Sequence, residues 1–419
     1  MAYRWMIPGW LLACSAGFGA ENWPEFRGPT GQGHADAANL PLRWSETENV
    51  TWKTPIPGQG WSSPVTLGDQ IWMTTATNEG HSLRAVCVNR DSGRLVHDVE
   101  VFHLDDPPLI NPKNSYASPT PAIEAGRLYV HFGTFGTACV STESGDVMWT
   151  NRTLTLDHKE GPGSSLALVG ERLIFNCDGM DVQYIVALDK RTGQIDWKTK
   201  RSGKMHENID FRKAFCTPLV IDVDGRQRVI SPGAHHVYAY DLETGEELWF
   251  VRYPGFSNVP RPLYGRGLLY ICTGFTSPEL WAIRPGGRGD VTATHVVWTT
   301  NRQVPSASSP ILIDNHLYMV SDKGIATCLN AETGQVIWAE RIRGNYSASP
   351  IDASGRIYFC SEEGRTYVLR PGESFELLAT NELDGRLMAS PAVVEEALYL
   401  RTDTHLYRIE QKDGRTSQR

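Results

Sequence analysis

The chain has 419 residues, and its 41% apolar content with 39 Gly and 25 Pro excludes a disordered or collagen-like protein. The 40 Lys and Arg against 48 Asp and Glu leave a net charge of −8 with no long basic run, which argues against a nucleic-acid partner. Beyond the N-terminus no apolar stretch reaches the roughly 18 residues that span a bilayer, so no transmembrane span is expected.

Residues 1–20 have the layout of a secretory signal: Arg4, an apolar run from Trp5 to Ala13, then the small residues Cys14, Ser15, Ala16 and Gly17. Cleavage after Ala16, Gly19 or Ala20 fits this layout, and Leu11-Leu12-Ala13-Cys14 resembles a lipobox that would make Cys14 a lipid-anchored N-terminus. The expected location is therefore exported, periplasmic or extracellular. Residues 21–48 read as a leader outside the main fold.

From residue 49 onward the chain repeats. Eight segments open on Ser or Thr, then Pro and β-branched residues: Ser63-Pro64, Thr120-Pro121, Ser164-Ser165-Leu166, Thr217-Pro218, Arg261-Pro262, Ser309-Pro310, Ser349-Pro350 and Ser390-Pro391. Each leads into a strand pair with Gly or Asp at its turn, such as Ile71-Trp72, Leu128-Tyr129 or Leu398-Tyr399. Most units continue with Asp-x-x-Thr-Gly-x-x-x-Trp, as in Asp189, Thr192, Gly193, Trp197 and in Asp241, Thr244, Gly245, Trp249. Asn330, Thr333, Gly334 and Trp338 repeat it, Ser141 to Trp149 is a looser copy, and the first unit has His97 in place of Trp.

Four-stranded units at spacings of 40 to 57 residues predict an all-β, eight-bladed β-propeller of antiparallel blades over residues 49–411, followed by a short tail at 412–419. The last unit lacks its Trp strand, whereas Val50-Thr51-Trp52-Lys53 is an orphan Trp strand ahead of the first opening. The N-terminal strand is thus expected to complete the C-terminal blade and close the ring without a free edge. A self-closed ring predicts a monomer.

These motifs resemble the pyrroloquinoline-quinone (PQQ) repeat propellers over roughly residues 50–410, in particular the secreted outer-membrane assembly-factor-like (BamB-like) branch. Trp23-Pro24-Glu25-Phe26-Arg27-Gly28-Pro29 is similar to a leader segment of secreted members. The resemblance implies an exported scaffold with an envelope-protein partner and does not imply the quinone. The adjacent-cysteine disulfide of the dehydrogenase branch is missing, since none of the seven cysteines after Cys14 is adjacent to another or in Cys-x-x-Cys spacing.

Most of the conspicuous residues read as architecture: outer-strand Trp rings docking between blades, and Thr-Gly turns. Function is expected where the loops converge on one face. There Trp61, Tyr116 and Tyr346 offer rings, Arg212, Lys213, Arg261, Arg343 and Arg386 offer positive charge, and His206 and Glu207 add titratable groups. If the cations converge, the ligand is an anionic saccharide or other polyanion. Asp178, Asp181, His235, His236, Asp322, Glu362, Glu363 and Asp403 fall in the middle-strand loops, where oxygen ligands would suit Ca²⁺. No nucleophile and base are legible, so a non-catalytic binding or scaffold module without cofactor is favoured. The alternatives are a carbohydrate-active lyase or hydrolase, with His206 or His235 as base and Tyr116 or Tyr346 as acid, and a PQQ-dependent oxidoreductase.

Overall fold

A computed structural model describes residues 22–411. The expected signal at residues 1–20, with Cys14, and the tail at 412–419 lie outside the described residues. Eight antiparallel sheets of four strands are arranged as the blades of a propeller. In each blade the strands run A to D from the channel outward. Blade 1 spans Val65–Leu67, Gln70–Thr77, Ser82–Asn89 and Leu95–His103, and blade 7 ends on Leu377–Glu382.

The closing blade is composite. Its strands Ala392–Val394, Ala397–Arg401 and His405–Glu410 come from the C-terminus, and its outer strand Val50–Pro55 pairs antiparallel with His405–Glu410 in the register Lys53 to Tyr407. The orphan Trp strand therefore closes the ring. Blade 4 carries an addition: Gly289–Asp290 pairs in parallel with its outer strand and covers that edge.

Buried apolar side chains form layers between neighbouring blades rather than one central mass. One cluster joins blade 1 residues Val65 and Trp72 to blade 2 residues Ile123, Leu128 and Val130, and the next joins Tyr129 of blade 2 to Phe175 and Val186 of blade 3. The Asp-x-x-Thr-Gly-x-x-x-Trp motif stitches these layers. Asp189 Oδ1 accepts from the backbone N–H groups of Arg191 and Thr192, both at 2.9 Å, and fixes the turn that Gly193 completes at φ 71°. In four blades the Trp then lies over the Gly of the next blade's turn and donates its indole N–H to a carbonyl there: Trp52 to Arg90, Trp149 to Lys190, Trp197 to Leu242 and Trp298 to Ala331. Opposite the Trp on strand C stands a small residue, Cys139, Ala187, Ala239 or Cys328, which leaves room for the ring. All seven described cysteines are buried and free.

The opening hydroxyls have a separate task. The backbone N–H of Ser63 donates to Thr120 Oγ1, that of Thr120 to Ser165 Oγ, and that of Ser165 to Thr217 Oγ1. The series resumes from Arg261 to Ser309, Ser349 and Ser390, at 2.8 to 3.0 Å. The opening hydroxyls of Thr120, Ser165, Thr217, Ser309, Ser349 and Ser390 thus each accept from the N–H of the preceding opening residue, and the series is interrupted at Arg261, which has no hydroxyl.

Residues 22–48, read from sequence as lying outside the ring, are built into it. Trp23 is fully buried and bridges Thr66 of blade 1, Pro24 O accepts from Ile123 of blade 2, and Gly33 O accepts from Asp352 of blade 7. His34–Ala35 then pairs in parallel with Asp352–Ala353. The segment crosses the channel on the side of the A–B turns before Trp44 stacks on Tyr358 at 6.3 Å. A detached leader would have left Trp23 and Trp44 in water; burying each removes about 150–250 Å² of largely apolar surface.

Candidate functional site

The D–A links and B–C loops meet on the opposite face. The link between blades 1 and 2 crosses this mouth. Its Lys113 reaches Glu362 of blade 7 at 3.2 Å, and its Asn111 reaches Glu160 of the blade 2–3 link at 2.9 Å. Two carboxylates serve as hubs. Glu160 also holds Lys213 at 3.0 Å, and Glu362 holds Ser347 at 2.7 Å with Arg386 at 3.6 Å. Burial acts to raise the Glu160 carboxyl, but the hydrogen bonds of Asn111 and Lys213 and the charges of Lys213 and Lys159 together outweigh it and lower its proton affinity.

This arrangement assigns the sequence candidates to different tasks. Arg212 directs its guanidinium at three backbone carbonyls, those of His206, Met180 and Glu207. Lys213 is buried between Glu160 and Asp210. Arg261 lies in the channel, 3% exposed, bonded to Glu25 at 3.0 Å and to Phe26 O. Arg343 is exposed, and its carbonyl accepts from the hydroxyl of fully buried Tyr346. Arg386 lies 5.8 Å from the ring of Trp61, which is itself buried. Tyr116 bonds Pro108 O at 2.6 Å and walls a groove of about 610 Å³ with Gln59, Asn78 and Glu79. Glu207 is exposed near Lys204. Of the four cations expected to converge, Arg212, Lys213 and Arg261 already have separate protein partners, and Arg343 is exposed.

The oxygens considered for Ca²⁺ are likewise bound one by one. Asp178 faces Arg201 in a buried pair, Asp181 accepts from Asp157 N–H, Asp322 from Ser306 N–H, Glu363 from Asn345 and Asp403 from Arg386 N–H. Among the described residues no group of three or more His, Cys, Asp or Glu is arranged to hold a metal ion.

What the charge-based reading missed is aromatic. Phe211 and Phe256 stack at 4.4 Å, Phe256 meets Phe275 edge-on at 6.3 Å, and His206 stacks on His235 at 5.1 Å and lies against Phe211. Phe275 is 56% exposed, and Ile209, two residues before Phe211, and Val259, three after Phe256, are exposed as well. Four loops of blades 3 to 5 build this patch, and backbone bonds fasten them together: His235 N–H to Gly255 O, Ser257 N–H to Lys213 O and Phe275 N–H to Phe256 O. Burial, with His206 beside it, lowers the affinity of His235 for a proton. The readable signal was Phe beside Gly in two loops, Gly255-Phe256 and Gly274-Phe275.

A family model described as "Outer membrane protein assembly factor BamB" matches residues 135–419. The chain belongs to that family. Among curated proteins it is similar to the outer membrane protein assembly factor BamB of Shewanella oneidensis, 21% identical over 71% of this chain and 75% of the relative. Among solved structures it is similar to BamB of Moraxella catarrhalis, with a TM-score of 0.60, 14% identity, and coverage of 86% of this chain and 99% of that one. The quinohemoprotein alcohol dehydrogenase of Comamonas testosteroni shares the fold at a TM-score of 0.63 and 10% identity, over 94% of this chain and 81% of its own. Trp23 to Gly33 cross the channel on one side, and the Asn111–Lys113 link is tied across the other mouth.

Proposed function

We propose that the chain is an exported, non-catalytic scaffold whose loop face binds a protein of the cell envelope. The observation that carries this is the aromatic patch of Phe211, Phe256 and Phe275, apolar, partly exposed and held by bonds between four loops. Such pre-ordered aromatic anchors are what protein interfaces use at their centres. The relatives are named for outer membrane protein assembly, and the signal layout with its lipobox-like Leu11-Leu12-Ala13-Cys14 agrees with a periplasmic site of action.

The anionic-saccharide reading has weaker support, because Arg212, Lys213 and Arg261 face carbonyls and carboxylates of the chain itself. The lyase reading is weakened in the same way: Tyr346 is fully buried and His235 Nε2 bonds Phe211 O at 3.0 Å.

A photo-crosslinking residue placed at Phe275 in cells should trap an envelope protein, and one at Arg191, on the opposite face, should not. Equal trapping at both positions, or none at Phe275, overturns the assignment.

A further inference from the structure

The loop face carries a second feature, which shares no residue with the aromatic patch. It is a groove of about 610 Å³ at blade 1, within the size range of small-molecule sites. Three segments wall it. The link entering blade 1 supplies Gly58 and Gln59, the loop between strands B and C supplies Asn78 to Gly80, and the link leaving blade 1 supplies Tyr116. These walls are tied to the fold. Gln59 exchanges backbone bonds with Ala76 at 2.8 and 2.9 Å, and His81 N–H closes the B–C loop onto Asn78 O at 3.0 Å. Gly80 packs so close to Tyr116 that a Cβ would stand 2.5 Å from Cε2 of the ring. The Tyr116 hydroxyl is engaged by Pro108 O, so what this residue leaves for a ligand is its ring.

The polar side chains of the groove are in the opposite condition. Gln59, Asn78 and Glu79 are exposed, and among the described residues their side chains have no hydrogen-bond or ion-pair partner. Elsewhere on the same face Asn111, Asn114 and Glu160 are each engaged by the chain itself. Asn78 and Glu79 also stand at φ 51° and 57°, ahead of Gly80 at φ 97°. Asn takes this left-handed backbone readily but Glu does not, and such outliers gather where a fold holds side chains ready for a ligand.

The donor set selects the ligand class. Two carboxamides and a carboxylate are planar forks, each able to bond two neighbouring hydroxyls, and an aromatic ring offers an apolar surface to the C–H side of a sugar. No Lys or Arg lines the groove, and Glu79 is the one charged residue among those that do, which disfavours an anionic ligand. An extended peptide fits less well, because the backbone of Gln59 is already paired with Ala76 and offers no free strand edge.

We propose that this groove binds a neutral, hydroxyl-rich saccharide, with Tyr116 against a sugar ring and Gln59, Asn78 and Glu79 bonding its hydroxyls. The site is independent of the protein-binding reading of the aromatic patch and gives the propeller a second, glycan ligand on the same face.

The test is calorimetric titration of the full chain with maltohexaose, cellohexaose, xylohexaose and N-acetylchitohexaose, beside hyaluronan and heparin fragments as anionic arms. At least one neutral oligosaccharide should bind, with the same affinity at low and high salt. Asn78→Gly keeps the left-handed backbone and removes only the amide; it should melt normally and weaken that binding about tenfold, as should Gln59→Ala. Glu79→Gln, which keeps the fork and removes the charge, should bind within about twofold of the unaltered chain. Binding of none of the four neutral sugars, tighter binding of an anionic fragment, or unaltered affinity in Asn78→Gly overturns the proposal.

Discussion

Asp178 and Arg201 meet through two parallel contacts of 2.6 Å, with both side chains essentially removed from water. Asp178 ends strand B of blade 3 and Arg201 follows the outer strand of the same blade, while the guanidinium carbon lies 4.9 Å from the ring of Tyr238 in blade 4. One pair thus joins the edge of a blade to its neighbour.

Removing either member leaves a buried charge alone. Asp178→Asn or Arg201→Met should each cost about 3–5 kcal/mol in denaturant unfolding. Combining Asp178→Leu with Arg201→Met should recover much of that loss, since both charges then disappear. A double variant as unstable as the worse single one would contradict this account.

Acid should loosen blades 2 and 3 before the rest. His131 and His158 are buried, and burial lowers them to about 3 and about 4, with repulsion between the pair also acting on His131. The unfolded chain binds protons at about 6.5, so the stability these neutral rings contribute is complete above that pH. It is lost as pH falls from there toward 4 and then 3, by about 3 kcal/mol for His158 alone at pH 4. Urea midpoints between pH 7 and pH 4 should fall more gently for His131→Phe than for the unaltered chain.

The Trp-over-Gly contact predicts an asymmetry between glycines that share a left-handed backbone. Gly245, at φ 70°, would set a Cβ 2.6 Å from Trp197, whereas Gly170, at φ 56°, has open space. Gly245→Ala should cost about 1–3 kcal/mol more than Gly170→Ala, because only the former must displace a packed ring. Thermal unfolding of the two variants measures the difference.

Phe275 is exposed enough that Phe275→Ser should change stability by no more than about 0.5 kcal/mol. The same change should weaken partner capture at least tenfold if the patch is the centre of the interface. A variant that captures normally while melting normally would remove Phe275 from the contact.

The ring was legible because its devices recur. Eight openings, the Asp-x-x-Thr-Gly-x-x-x-Trp turns and the unpaired Trp52 strand each repeat or complement something elsewhere in the chain, and the four-stranded blades follow from them. The leader was misread because Trp23 to Gly33 occurs once and pairs through backbone atoms with strands up to hundreds of residues away. Gln32 accepting from Tyr264 N–H and Gly33 from Asp352 N–H have no signature in composition. The partners of the face's cations were illegible for a related reason. Charge is visible in a sequence and its partner is not, so Lys213 read as available although Glu160 and Asp210 hold it.

The composite closure sets an order of events during synthesis. Thr51 bonds Glu410 across 359 residues, and Trp44 waits for Asn381. At about 5–20 residues per second, the N-terminal segment is made roughly 20–70 seconds before its last partner exists. Until Tyr358 and Asn381 are made, Trp44 is apolar surface without a home, so this early part of the chain is among the last to complete its packing.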